Sequence, residues 1–272
     1  MNRYLMQPLR WVAFGVALCA MHLQRGTLAE PIPVHHIEGT VHGFLVLRSQ
    51  DGHRLAVGDL IQLVRGDRIT SSLIFRFRDG SVDEENSVFS QRGNFQLISD
   101  HHVQKGPSFP HPMDLSIDVR RGEVRVRSTG KEGKEEVRTE HMDLPSDLSN
   151  GMLLSLVKNI RPDAPETKVS MIVATPKPRL VKLAISPNEE EPFSLAGSHR
   201  KATRYAIKVE LGGVTGVIAP LIGKAPSDIH MWIVGGVAPA FVKEEGQLYA
   251  GGPIWSIELT SPVWPGMSKS DQ

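Results

Sequence analysis

The sequence predicts a mainly β protein: a curved antiparallel sheet, a half-barrel or open-barrel meander, with one helix across its concave side. Three observations carry this reading. From Thr40 onward apolar and polar residues alternate with period two, glycine-bearing turns return at short intervals, and one segment, from about Leu148 to Ile160, repeats at helical spacing.

The elements follow in order. Leu73, Phe75 and Phe77 fall on one face of a strand, and Arg78-Asp79-Gly80-Ser81 turns the chain into a second strand over Val82 to Ser90. Gln91-Arg92-Gly93-Asn94 returns it as Phe95 to Ile98. Leu115, Ile117 and Val119 alternate with Ser116 and Asp118, and Arg120-Arg121-Gly122 folds them onto Val124 to Arg127. Such a run of hairpins is a meander. Strands between Arg120 and Arg138 are charged on one face, which suits a sheet with one side in water and an edge blunted by charge.

The helix follows Leu144-Pro145, with Ser146 or Asp147 available as a cap and Leu148, Met152, Leu156 and Ile160 as its apolar stripe. Pro162 ends it. Strands resume at Val169 to Ala174, Leu180 to Ile185 and Thr203 to Leu211, then at His230 to Val234, Ala240 to Val242 and Ile254 to Leu259. The last group is more continuously apolar, as strands covered on both faces are.

Residues 1–29 read as a secretory signal. Arg3 and Arg10 supply the positive region, Trp11 to Leu23 is an apolar stretch too short to anchor in a bilayer, and Thr27-Leu28-Ala29 is a small-x-small cleavage site. Residues 30–272 are then a single mainly antiparallel β domain, periplasmic or secreted, with no transmembrane anchor once the signal is cleaved. Cys19, the one cysteine, leaves with the signal; Leu18 stands where a lipobox needs a small residue. A cysteine-free mature chain excludes disulfides and thiol nucleophiles. Its balance of 28 basic against 30 acidic residues argues against nucleic acid as a partner.

Catalytic chemistry finds no foothold in these patterns. Adjacent histidines such as His35-His36 and His101-His102 point to opposite faces of an extended chain, and no metal-ligand spacing appears. Gly106-Pro107-Ser108-Phe109-Pro110 lacks the second glycine of a nucleophile elbow. Neither Gly212 to Gly216 nor Leu221 to Ala225 leads into a helix, as a phosphate loop must. Asp83-Glu84-Glu85 and Glu189-Glu190-Glu191 read as solvated charge. No catalytic residue, metal ligand or cofactor is therefore assigned. Aromatic and apolar residues remain, and Leu156, Tyr205, Trp232 and Trp255 are the candidates for lining a cavity for an apolar ligand.

The segments Arg78 to Ser81, Leu97 to His101, Gly106 to Pro110, Asp143-Leu144-Pro145 with Asn150-Gly151, and Gly251 to Trp255 resemble an uncharacterised group of secreted bacterial proteins. In outline these resemble periplasmic families of unknown function sharing the lipoprotein-carrier half-barrel. The resemblance spans Ile69 to Trp264 and implies a fold whose usual business is holding an acyl chain between sheet and helix. The expected function is thus a periplasmic, non-enzymatic protein binding an apolar or lipid-like ligand or an envelope partner. Its rivals are an interaction protein whose concave face is filled by its own side chains, and a hydrolase with a dispersed site, for which Asp100, His101-His102 and Ser108 are the first suspects.

N-terminal sequencing of the exported protein should begin at Glu30, with release by osmotic shock. A lipid-modified Cys19 at the N-terminus would overturn this assignment.

Overall fold

A computed structural model of the chain describes residues 30–129, 134–175, 177–195, 198–210 and 227–260. The expected signal with Cys19, both stretches weighed as phosphate loops, and Trp264 lie outside the described residues. The strands are β1 (Val41–Ser49), β2 (Arg54–Arg65), β3 (Arg68–Phe77), β4 (Val82–Ser90), β5 (Gln96–Lys105), β6 (Met113–Asp118), β7 (Glu123–Thr129) and β8 (Glu135–His141). After helix α1 (Leu153–Lys158) come β9 (Thr167–Val173), β10 (Arg179–Leu195), β11 (Ser198–Glu210), β12 (Ile229–Val234), β13 (Ala240–Gln247) and β14 (Ile254–Thr260).

These fourteen strands form one antiparallel sheet in the order β8-β7-β6-β5-β4-β3-β2-β1-β14-β13-β12-β11-β10-β9. Two meanders, one before and one after the helix, are thus sewn together by the β1–β14 pair, where Leu45 meets Leu259 and Leu47 meets Ile257. The sheet is open, since β8 and β9 do not pair with each other. It is nonetheless strongly curved, because side chains from both halves meet in one core. Ile69, Phe89, Leu115 and Val126 of the first half pack in the same cluster as Ile172, Leu183, Tyr205 and Met231 of the second. A second cluster lies under the middle strands, built on Leu45, Leu47, Phe75, Phe77, Phe109 and Trp255.

The helix fills the space between the two halves. Leu148, Met152, Leu156 and Ile160 are all buried, as the apolar stripe requires, but the helix is only six residues long. The residues before it are taken by the sheet. Leu148 bridges Ser170 in parallel, and Ser149 N–H donates to the Ser170 carbonyl at 2.8 Å. The Asn150 amide imitates a strand residue, donating to Ile172 O at 2.9 Å and accepting from Ile172 N–H at 2.8 Å. Gly151 then takes φ +65°, outside the helical region. The expected cap is displaced for the same reason. Met152 occupies the N-cap position with no side-chain cap, whereas Asp147 is buried and accepts from Ser170 Oγ (2.9 Å) and Lys182 Nζ (3.1 Å). Edge strand β9 thus has its free backbone groups covered by the chain leading into the helix.

The chain before β1 straps the far end of the helix. Phe95 N–H donates to Ile32 O, and Val34 N–H to Gly93 O. Asn159 Oδ1 accepts from the backbone N–H groups of both His35 and His36. Lys158 Nζ lies 2.6 Å from the buried Glu38 carboxylate, which also accepts from Gln62.

Two substitutions check this arrangement. Leu156→Ala should cost about 2–5 kcal/mol, the range for truncating a fully enclosed leucine. Asn150→Ala orphans the Ile172 N–H and C=O, at about 1–3 kcal/mol for each buried group. Urea midpoints unchanged from the wild type in either variant would contradict the packing described.

Candidate functional site

Inside the sheet a strip of polar side chains runs between the two apolar clusters. The β4–β5 register places Asp83 opposite Gln104, Glu85 opposite His102, and Ser87 opposite Asp100, all on the concave face. The neighbouring strands flank the strip with mainly apolar residues. β3 sets Phe75 and Leu73 beside Asp83 and Glu85, and β6 sets Leu115 and Ile117 beside His102 and Asp100. From β13 Glu244 joins the strip, flanked by Met231 on β12 and Ile257 on β14.

Two β-bulges aim these groups inward. In β5 the register slips between the Phe89↔Leu97 and Val88↔Ser99 pairs, so Leu97 and Asp100, three apart, both face the core. In β13 the register slips between Lys243 and Phe241, so Phe241 and Glu244 share a face in the same way. The β5 bulge also decides between the adjacent histidines. His101 turns outward to Asp114 at 3.0 Å, and His102 turns inward.

His102 is the hub. Its Nε2 donates to Asp83 Oδ1 at 2.6 Å, and its Nδ1 lies 4.0 Å from Glu85. Gln104 spans the interior, donating to Asp83 Oδ2 at 3.3 Å and to Leu248 O at 2.8 Å. Ser87 Oγ donates to the Gly151 carbonyl at 2.7 Å, which ties the strip to the start of the helical segment. Asp100 is 3% exposed, and neither of its carboxyl oxygens has a hydrogen-bond partner. Burial works against the charged imidazolium, but the Asp83 hydrogen bond and the charges of Glu85, Asp83 and Asp100 overcome it and raise the His102 pKa to about 9. Burial, reinforced by Glu85, pushes Asp100 well above the carboxylate range. Glu85 is raised by burial, with His102 opposing, and Glu244 is pushed to about 7 by burial and by the charges of Glu85 and Asp83.

This arrangement sets His102 against carboxylates rather than against a hydroxyl. Both ring nitrogens of His102 face carboxylates, so neither serves as a base toward a serine, and Ser87 donates to a backbone carbonyl instead. Of the suspects for a dispersed hydrolase, Asp100 and His102 share the strip while His101 points outward. Ser108 lies in the loop after β5, its Oγ donating to Asp79 at 2.7 Å and its N–H to Ser81 Oγ. Among the described residues no group of three or more His, Cys, Asp or Glu is arranged to hold a metal ion.

The four apolar ligand candidates fall in three places. Leu156 and Tyr205 share the main core, where Tyr205 Oη donates to Ile160 O at 2.6 Å. Trp255 packs against Phe77, Phe109 and Tyr249, with ring centres 5.6, 6.5 and 6.2 Å away. Trp232 sits on the other side of the sheet with Ala202 and Val242, its Nε1 donating to Glu191 at 2.8 Å and Lys243 lying over its ring. A surface recess of about 380 Å³ opens elsewhere, between Pro31, Ile32 and Pro33 of the strap and Ile160, Arg161 and Ala164 after the helix.

Asp83 and Glu85 correct the reading of Asp83-Glu84-Glu85 as solvated charge. The hairpin at Arg78 to Ser81 fixes the reason: with Phe75 and Phe77 facing inward, its register puts Asp83 opposite Phe75. That signal is present in the sequence. Glu191 is likewise not free, since it accepts from Trp232 and lies 3.4 Å from Arg204. Glu244 and Gln104 carry no pattern that singles them out.

No protein-family model matches the chain, and no curated protein matches it. Among solved structures it is similar to a β-barrel-like protein of a domain of unknown function from Brucella abortus, at 8% identity, over 82% of this chain and 98% of that one, with a TM-score of 0.45.

Gly151 sets the closeness of the helical segment to the strip. A Cβ there would run into Asp100 Oδ1 and come within 2.5 Å of Ser87 Cβ, whereas one at Gly80, also at positive φ, would meet nothing within 4 Å. Gly80→Ala should cost roughly 1–3 kcal/mol of backbone strain. Gly151→Ala should cost that and about 1–3 kcal/mol more from crowding. Equal losses in the two variants, measured by chemical denaturation, would show that the contact is not tight.

Proposed function

We propose that this is a non-enzymatic protein of the bacterial envelope, exported through residues 1–29, that acts as an interaction protein for an envelope partner. One observation carries the reading. The concave side, where a carrier of this outline would hold an acyl chain, is occupied by the protein's own helix. Leu156 is 1% exposed, and Tyr205 is tied by its hydroxyl to the end of the helical segment. A ligand entering there would have to displace buried side chains and orphan the Ile160 carbonyl. The His102 strip lends no support to an enzyme, because His102, Asp83, Gln104 and Ser87 are engaged with one another or with the backbone.

A second reading, an apolar or lipid-like ligand, is favoured by the recess beside the strap. Its volume falls in the small-ligand range, and Pro31, Ile32, Pro33, Ile160 and Ala164 give it an apolar floor. Two measurements separate the readings. Fluorescent fatty acids titrated onto the mature protein should show no saturable binding at micromolar concentration. A photo-crosslinking residue at Ala164 should give a discrete protein adduct in intact cells. Saturable fatty-acid binding that Ala164→Trp abolishes would replace the first reading with the second, and failure of both experiments would sink both.

A further inference from the structure

We propose that the strip around His102 is a proton-binding latch: while its carboxyl groups share protons it holds the Gly151 end of the helical segment against the β4–β5 wall, and when they ionise it lets that segment loosen. The inference concerns the interior only and does not rest on the partner reading.

The geometry comes first. Four carboxyl groups from three strands share the strip: Asp83 and Glu85 from β4 and Asp100 from β5 act on the His102 imidazole, and Glu244 from β13 faces Glu85 and Asp83. The residues facing them from β3, β6, β12 and β14 are uncharged. Helix α1 has one basic residue in its last turn, Lys158, and that is paired with Glu38. The segment before α1 supplies only backbone, through the Ser87 bond to Gly151 and the Gly151 N–H facing Glu85. One cation therefore stands against four acids, and full ionisation leaves uncompensated negative charge, enclosed at Asp83 and Asp100 and partly enclosed at Glu85 and Glu244. Asp100 makes the case sharpest. It is buried with both oxygens unpartnered and lies directly against Gly151, a place where a neutral acid is tolerated and a carboxylate is not.

The direction of the effect follows from where protons are held. A group whose pKa is higher in the fold than in the unfolded chain stabilises the fold fully below its unfolded value, and that stabilisation is lost as pH rises through the folded value. For Glu244 the loss runs from its ordinary value of 4.5 to about 7. For His102 it runs from 6.5 to about 9. Asp100 and Glu85, both raised, act in the same direction. The latch is thus tight in mild acid and slack in mild alkali, each proton involved changing the opening equilibrium up to about tenfold per pH unit within its window.

Native-state hydrogen exchange on the full mature protein tests this, following peptides covering residues 147–160 and correcting for the pH dependence of intrinsic exchange. Protection of that segment should fall at least tenfold between pH 5.5 and 8.5, while peptides from β1 and β2 hold theirs. Glu244→Gln and Asp100→Asn should each flatten that dependence several-fold. The proposal is overturned if wild-type protection in 147–160 is independent of pH, if the whole sheet loosens in parallel, or if the folded variants keep the wild-type slope. The wild-type measurement decides alone should a variant fail to fold.

Discussion

Thirteen of the fourteen described strands, all but β8, bury side chains that water must not reach, and among the described residues one six-residue helix is there to cover them. Laid flat, that sheet would expose most of its apolar side. The solution is to curl the sheet so that its first and second halves bury each other, with the helix as the plug between them. Burial of that inner face, at roughly 25 cal/mol for each Å² of apolar surface, is the force on which the rest depends. It explains why Tyr205 on β11 and Phe89 on β4, far apart in the sheet order, belong to one core.

Curling without closing leaves two edges, and they are handled differently. β9 is covered by residues 147–150, whose backbone and Asn150 amide satisfy its outward N–H and C=O groups. β8 is left in water and protected by charge, with Glu135, Glu136, Arg138, Glu140 and His141 along seven residues. The same covering segment shortens the helix, because residues bonded to a strand edge cannot also take part in a helical turn. Edge protection and helix length are therefore one trade, set at Asn150 and Gly151.

The polar strip is the cost of using long strands that cross from one apolar cluster to the other. Between the clusters the inner face carries acids, and His102 with Gln104 is the protein's partial answer to them. That answer is incomplete at Asp100, whose oxygens find no donor. A buried group left in that condition has to hold a proton or an opposite charge, and the region offers one imidazolium already shared among its neighbours.

Alternation around Leu73 to Phe77, Leu115 to Val119 and Thr203 to Val209, with the glycine turns between them, was enough to specify an antiparallel meander, because the two-residue side-chain period is a local property of extended chain. The buried stripe Leu148, Met152, Leu156 and Ile160 and the helix it belongs to were legible for a similar reason, although the helix's late start was not, since the competing bonds to Ser170 and Ile172 come from residues about twenty positions away. Asp83 was within reach through the hairpin register. The inward aim of Asp100, His102 and Glu244 was not, because each depends on a bulge that shifts its strand's phase by one residue, and nothing local to Leu97–Asp100 or Phe241–Glu244 marks it. The sequence by itself determined the class of fold, the faces of those strands whose alternation runs unbroken, and the absence of an intrachain disulfide, since Cys19 is its one cysteine. Only the tertiary structure decided which acids share one interior, since that rests on pairing register across strands and on the curl that carries β13 opposite β4 and β5.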